Sequence, residues 1–167
     1  MKLPLRWLKE IVDMHVSPEQ LAADLASVGI EVESITHTSV PEGVIVAEIL
    51  SVEKHPNADR LSVCSVNTGK AAPETIVCGA PNVKAGMKAP LAVPGCVLGP
   101  DTKVTKAKIR GVESSGMLCS ERELGISDDH SGIMELTAEH APGTPCQELF
   151  PEDTILETEI TPNRGDC

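Results

Sequence analysis

Six cations and one acid, Asp101, occupy the stretch from Lys84 to Arg110: Lys84, Lys88, Lys103, Lys106, Lys108 and Arg110. In Val104–Arg110 a strand's period of two puts Lys106, Lys108 and Arg110 on one face and Thr105, Ala107 and Ile109 on the other. At a rise of about 3.3 Å per residue, cations on that face recur about every 6.6 Å, comparable with successive phosphates of an extended nucleic-acid strand. The chemistry of such a stripe is phosphate binding. A solvated strand face carries the same charges, so the pattern alone leaves both readings standing.

A second group is His55-Pro56-Asn57-Ala58-Asp59. Pro56 restricts His55 to extended backbone, and Asn57 and Asp59 can bond their own main chain to fix a tight connection. The group reads either as a structural loop or as an imidazole and an amide, His55 and Asn57, facing RNA. Ser115, in Ser114-Ser115-Gly116-Met117, could donate to phosphate, although turn serines commonly bond the backbone. Asp128-Asp129-His130 has cation-binding atoms, but three adjacent residues cannot all aim at one ion without unusual backbone, so it reads as a solvated loop. No GxGxxG, Walker, HExxH or GxSxG pattern occurs, and no residue is nominated as catalytic or as a metal ligand.

The elements that must position these groups fall into two textures. In residues 1–39, Leu5, Leu8 and Val12 with Trp7 and Ile11 predict a short amphipathic helix with Trp7 in the core, Pro4 lying in its first turn. Ser17-Pro18-Glu19-Gln20 is a capping box, followed by Leu21, Leu25 and Val28 on one face and a stop at Gly29. Residues 40–148 turn to short β-rich runs: Val44–Val52, Leu61–Val66, Thr75–Cys78, Lys88–Val93 and Val104–Ile109, separated by Gly, Pro, Asn and Asp. Five such strands are the count of an oligonucleotide-binding (OB) barrel, with the cationic stripe on the last. Ser120-Glu121-Arg122-Glu123 and Thr144-Pro145-Cys146-Gln147 read as further capping boxes. Gly111 and Gly116 mark a strand end and a turn that need positive φ, with Met117 and Leu118 in the core. Residues 149–167 contain an alternating run, Thr154 to Ile160, whose nearest partner is Ile30 to Thr36.

Composition sets limits on any RNA role. The net charge of -11 repels a polyanion at long range, and one Trp, one Phe and no Tyr leave the barrel without aromatic platforms for bases. The six cysteines are widely spaced and form no CxxC pair, which reads as reduced, buried small hydrophobes. Charges interrupt every apolar stretch and there is no signal-like start, so the chain reads as cytosolic with no membrane partner.

Four ordered pieces, HPNADRLSVCSVNTG, IVCGAPNV, IRGVESSGMLCS and ELGI, together resemble the tRNA-binding OB module of several aminoacyl-tRNA synthetases. The flanking WLKEIV and ITPNRGDC resemble the opening of the β subunit of bacterial phenylalanyl-tRNA synthetase, so the resemblance covers essentially the whole chain. It implies an α+β, mainly β chain in which a five-stranded OB barrel (40–148) is inserted into a small, incomplete α/β domain (1–39 and 149–167) of a longer polypeptide. It further implies a ligase that attaches phenylalanine to its tRNA as an α2β2 heterotetramer using ATP and magnesium. In that enzyme the chemistry occurs in the α subunit and proofreading in later β-subunit domains, so this segment carries no cofactor of its own. Its expected role is auxiliary tRNA binding; a docking or spacer module without RNA contact is the alternative.

Overall fold

The computed structural model describes residues 1–99, 102–137 and 139–160. In chain order the elements are β1 (Lys2–Pro4), α1 (Leu5–Ile11), α2 (Pro18–Ser27), β2 (Glu31–Thr38), β3 (Val44–Lys54), β4 (Ser62–Asn67), β5 (Glu74–Cys78) and β6 (Lys88–Ala92). There follow β7 (Val97–Leu98), β8 (Thr102–Lys103), β9 (Ala107–Ile109), β10 (Val112–Ser114), β11 (Met117–Leu118), α3 (Cys146–Leu149) and β12 (Asp153–Glu159). The chain divides into two compact units, one holding Met1–Thr38 with the segment from Glu152, the other Ser39–Pro151. Among the described residues no helix is long and apolar enough to cross a membrane.

The larger unit is built on an antiparallel five-stranded sheet of order β11-β6-β3-β4-β5. β3 pairs with β6 over Val44–Glu48 and with β4 over Glu48–Lys54. Its register slips between Ile49 and Ser51, which turns Leu50 outward while Ile49 stays in the core. Such a bulge sharpens the local twist and lets one strand serve two walls of a barrel. Closure comes at the other edge, where the Ser115 amide donates to the Thr75 carbonyl at 2.9 Å and the Val77 amide donates to Ser114 Oγ at 3.0 Å. Ser114 is only 2% exposed, and its hydroxyl passes a bond on to the Gly116 carbonyl at 2.9 Å. Gly116, at φ 153, lies so near β6 that a Cβ there would sit 2.7 Å from the Ala92 carbonyl oxygen. The nearly closed sheet is the OB-like barrel that the strand count predicts.

The fifth strand is not the expected one. The segment 104–109 leaves the barrel: Val104 closes a small β7–β8 hairpin through bonds with Gly95 and Cys96, and β9 pairs only with β10 in a separate two-stranded sheet. A barrel strand must bury alternate residues, whereas Lys106, Ala107 and Lys108 are all exposed. Ser114, Leu118 and the half-buried Met117 supply the inward side chains instead, so β11 takes the position. The Thr144 capping box also fails to form. The Thr144 carbonyl accepts from the Val46 amide at 2.8 Å, Pro145 precedes α3 without a side-chain cap, and Gln147 donates to the Pro41 carbonyl at 2.9 Å. The Ser120 box does form, with Ser120 Oγ and amide both donating to the Glu123 carboxylate, but it caps a turn rather than a helix.

Two apolar clusters fill the barrel, one around Val44, Val46, Leu124 and Leu136, the other around Ile49, Val66, Ile76 and Leu91. Cys64, Cys78, Cys96, Cys119 and Cys146 are buried and free, the small hydrophobes the spacing predicts. Burial pushes the Cys64 and Cys146 thiols up to about 11 and Cys119 up to about 12, and raises Cys78 and Cys96 as well.

In the smaller unit β12 pairs antiparallel with β1 and with β2, Leu156 lying opposite both Leu3 and Ile35. Leu156 and Thr158 point inward, as the alternation predicts. Ser17 caps α2 by accepting from the Gln20 amide at 3.2 Å, and Val28, at its end, is exposed. Pro4 ends β1 rather than starting α1, whose Arg6 amide takes the Asp153 carboxylate at 3.0 Å as its cap. Trp7 is 55% exposed and does not enter the core. At about 100° per residue it sits about 200° around α1 from the buried Leu5, stacked with the exposed Ile11 one turn on.

Replacing Ser114 by alanine leaves the Val77 amide buried and unpaired at the closure, and is expected to cost about 1–3 kcal/mol in urea unfolding. A loss below about 0.5 kcal/mol would show that the seam does not depend on this hydroxyl. At pH 8 the raised thiols remain protonated and covered, since only thiolate reacts. The five described cysteines are therefore expected to resist an aromatic disulfide reagent until the chain is unfolded, and prompt native labelling of any of them would contradict their burial.

Candidate nucleic-acid interface

The cationic segment is positioned by the β9–β10 hairpin. Ile109 pairs with Val112, so the loop is the two residues Arg110 and Gly111. Both have positive φ, 45° and 99°, the requirement of the type I′ turn whose twist matches a two-stranded ribbon. Asn-Gly is the usual sequence there because asparagine tolerates the left-handed region. Arginine at the first position brings a Cβ penalty of about 1–2 kcal/mol. Among the described residues Arg110 is the one non-glycine at positive φ. The strained conformation places an exposed guanidinium at the hairpin tip. Because the turn begins at Arg110, the strand alternation that puts it on one face with Lys106 and Lys108 does not govern its side chain.

His55 and Asn57 reach this turn from the other side of the sequence. His55 is 2% exposed, with Nε2 3.1 Å from the Ile109 carbonyl oxygen and Nδ1 3.0 Å from the Asn57 amide. The Asn57 N–H must point at an acceptor, so the ring proton sits on Nε2 and donates to Ile109. Asn57 Nδ2 donates to the Arg110 carbonyl at 3.1 Å. The His55 amide, in turn, donates to the Leu61 carbonyl at 3.0 Å, just before β4. The imidazole therefore faces the hairpin turn rather than solvent.

The six cations separate into two groups. Lys103, Lys106, Lys108 and Arg110 are exposed, and among the described residues none of them makes an ion pair. Glu113 lies directly opposite Lys108 in the hairpin and offsets part of its charge. Lys84 pairs with Glu135 at 3.0 Å, and the Lys88 ammonium donates to the His140 carbonyl at 2.7 Å, so both are engaged within the barrel unit. Ser115 is half-buried and its amide serves the seam to Thr75. Phe150 packs on the core, so the barrel unit itself presents no exposed aromatic platform. Asp128, Asp129 and His130 are exposed; the Ser131 amide bonded to Asp129 holds that carboxyl below its usual range. Among the described residues no three carboxylate, imidazole or thiol side chains converge on a cation position.

Sequence reasoning misses the seam role of Ser114 and the bonds from His55 and Asn57 to a turn more than fifty residues away. The one local signal is the Arg-Gly pair itself, a two-residue turn between alternating runs whose first residue is a poor turn former.

A nearly closed antiparallel barrel with a cationic hairpin just before its last crossing places the chain in the class of OB-like barrels. Residues 44–145 match the family described as a putative tRNA binding domain, and the chain belongs to that family. Its whole length is 52% identical to the phenylalanine--tRNA ligase beta subunit of Coxiella burnetii and 46% identical to that of Dechloromonas aromatica, covering 21% of each. The chain thus spans about one fifth of the length of the curated relatives it matches. Among solved structures, the MetRS related protein from Pyrococcus horikoshii aligns over 79% of this chain and 98% of its own at 18% identity, with a TM-score of 0.44.

Arg110→Gly removes the left-handed Cβ penalty and is expected to raise stability by up to about 1 kcal/mol, read as a higher urea midpoint. Arg110→Ala, which keeps a Cβ, is expected not to. Equal midpoints for the glycine and alanine variants would mean that the turn is unstrained.

Proposed function

We propose that this chain is the tRNA-binding segment of a phenylalanine--tRNA ligase beta subunit and that it meets tRNA phosphates through Lys103, Lys106, Lys108 and Arg110. The observation that carries this reading is the set of exposed cations that make no ion pair among the described residues, on and beside one hairpin of a barrel that belongs to a tRNA-binding family. Each phosphate contact releases counterions and makes binding salt-dependent. With no stacking platform on the barrel unit, its recognition rests on phosphate and shape, which are weakly sequence-selective. Lys84 and Lys88 contribute less, since each already has a partner within the barrel unit, and Ser115 contributes less because it is half-buried.

The role is auxiliary. The whole enzyme attaches phenylalanine to its tRNA in an α2β2 assembly with an alpha subunit, in the cytoplasm. ATP and magnesium belong to the chemistry of the whole enzyme and act outside this segment. The organisation proposed is a barrel (40–148) inserted between two halves (1–39 and 149–167) of a small α/β domain. The net charge of -11 favours a second reading, a docking or spacer module in the assembly without RNA contact.

A fluorescence-anisotropy titration with tRNA specific for phenylalanine, at several salt concentrations, separates the two. Binding that weakens with salt is expected, and Lys106→Glu/Lys108→Glu/Arg110→Glu should lower both the affinity and the slope of log K against log salt, the latter by about 2. Unchanged binding in the folded triple variant would remove the RNA surface from this hairpin.

A further inference from the structure

We propose that His55 and Asn57 are positioning residues of the cationic hairpin: they hold the Arg110–Gly111 turn in its strained conformation and pre-order Lys108 and Arg110 for phosphate, without touching RNA themselves. The inference rests on the RNA-binding reading above. Two successive carbonyls at the turn, of Ile109 and Arg110, receive bonds from His55 Nε2 and Asn57 Nδ2, each at 3.1 Å. The same asparagine fixes the histidine tautomer through its backbone amide, so the two side chains form one unit. That unit is anchored by the His55 amide to the chain entering β4, and His55 itself is buried.

The hairpin needs such an anchor. Its strands have three residues each and form a ladder only with one another; Ser114 ties the base of β10 to β5, but a two-stranded ribbon of that size is marginal in water and its tip lies beyond that tie. Its turn lacks the asparagine that stabilises a type I′ loop from within. Asn57 supplies an amide from outside, close enough that a Cβ on Gly111 would lie 3.5 Å from its Nδ2. Ordering the hairpin before RNA arrives removes an entropic cost of binding but adds no ionic contact. Loss of the anchor should therefore weaken affinity while leaving the salt slope intact, whereas loss of a cation lowers both.

The test uses the full 167-residue chain and its variants with the same tRNA, together with amide hydrogen exchange across Lys108–Glu113. Asn57 is exposed, so Asn57→Ala is expected to keep the thermal midpoint within a few degrees, speed exchange in the hairpin and weaken tRNA binding about three- to tenfold, the worth of the one hydrogen bond it removes, at unchanged salt slope. His55→Gln, which keeps a side-chain N–H near the Nε2 position, should lie closer to wild type than His55→Leu. In an Arg110→Asn background the turn stabilises itself, and Asn57→Ala should then change exchange little. Wild-type binding retained in full by Asn57→Ala, or hairpin exchange unaltered by it, would overturn the positioning role while leaving the RNA reading in place. Absence of salt-dependent binding by the wild type would overturn the RNA reading and this inference with it, even if exchange showed the anchor at work.

Discussion

The fold depends on closing one sheet edge. Four strands, β6-β3-β4-β5, form a continuous antiparallel ladder, and an open sheet of that kind would leave β5 and β6 with unpaired amides and carbonyls. The short segment Ser114–Leu118 resolves both edges at once. Its β11 residues pair with β6, and its Ser114 hydroxyl and Ser115 amide serve β5. Gly116 is what lets the chain cross between them, because any side chain there would meet the β6 backbone. The two apolar clusters are enclosed only once that crossing is made.

Because so few residues complete the barrel, the chain between β6 and β11 is released from packing. Its described residues include two small hairpins, β7–β8 and β9–β10, with Cys96, Leu98 and Val104 returning to the core. Charge density that a barrel strand could not carry is tolerated there. The arrangement has a cost at Arg110, where a cation occupies a turn position suited to asparagine, and a compensation in the two bonds from the His55–Asn57 pair. Local strain at the exposed tip is thus held by a group bonded to it from a buried position, His55, and its neighbour Asn57, and such strain is common at functional sites.

The elements with strong local periodicity were legible in the sequence: β3 to β6, the β12 alternation against β2, and the Ser17 cap all follow from spacing and turn chemistry. What was not legible depends on distant partners. Alternation over 104–110 predicts a barrel strand equally well whether or not its second face finds a core, and here it does not. Trp7 has helical spacing with leucines, yet only the face bearing Leu5 meets the small sheet. His55 shows neither its burial nor its partner, since Ile109 lies far along the chain. The Thr144 capping box loses to a tertiary bond with β3.

The smaller sheet also carries an implication for how the chain orders itself. Thr38 and Asp153 are directly paired, so everything between them is, for β2 and β12, a loop of more than a hundred residues. Closing so long a flexible loop would cost about 4 kcal/mol in chain entropy. Within the barrel unit, however, Gln147 already bonds the Pro41 carbonyl, which brings the two ends of the excursion together as that unit folds. Once it has folded, β2 and β12 need only span the few residues beyond each end. The barrel thus acts for the smaller sheet as a prefabricated tight turn, and pairing that looks long-range in sequence becomes, in entropy, that of a short hairpin.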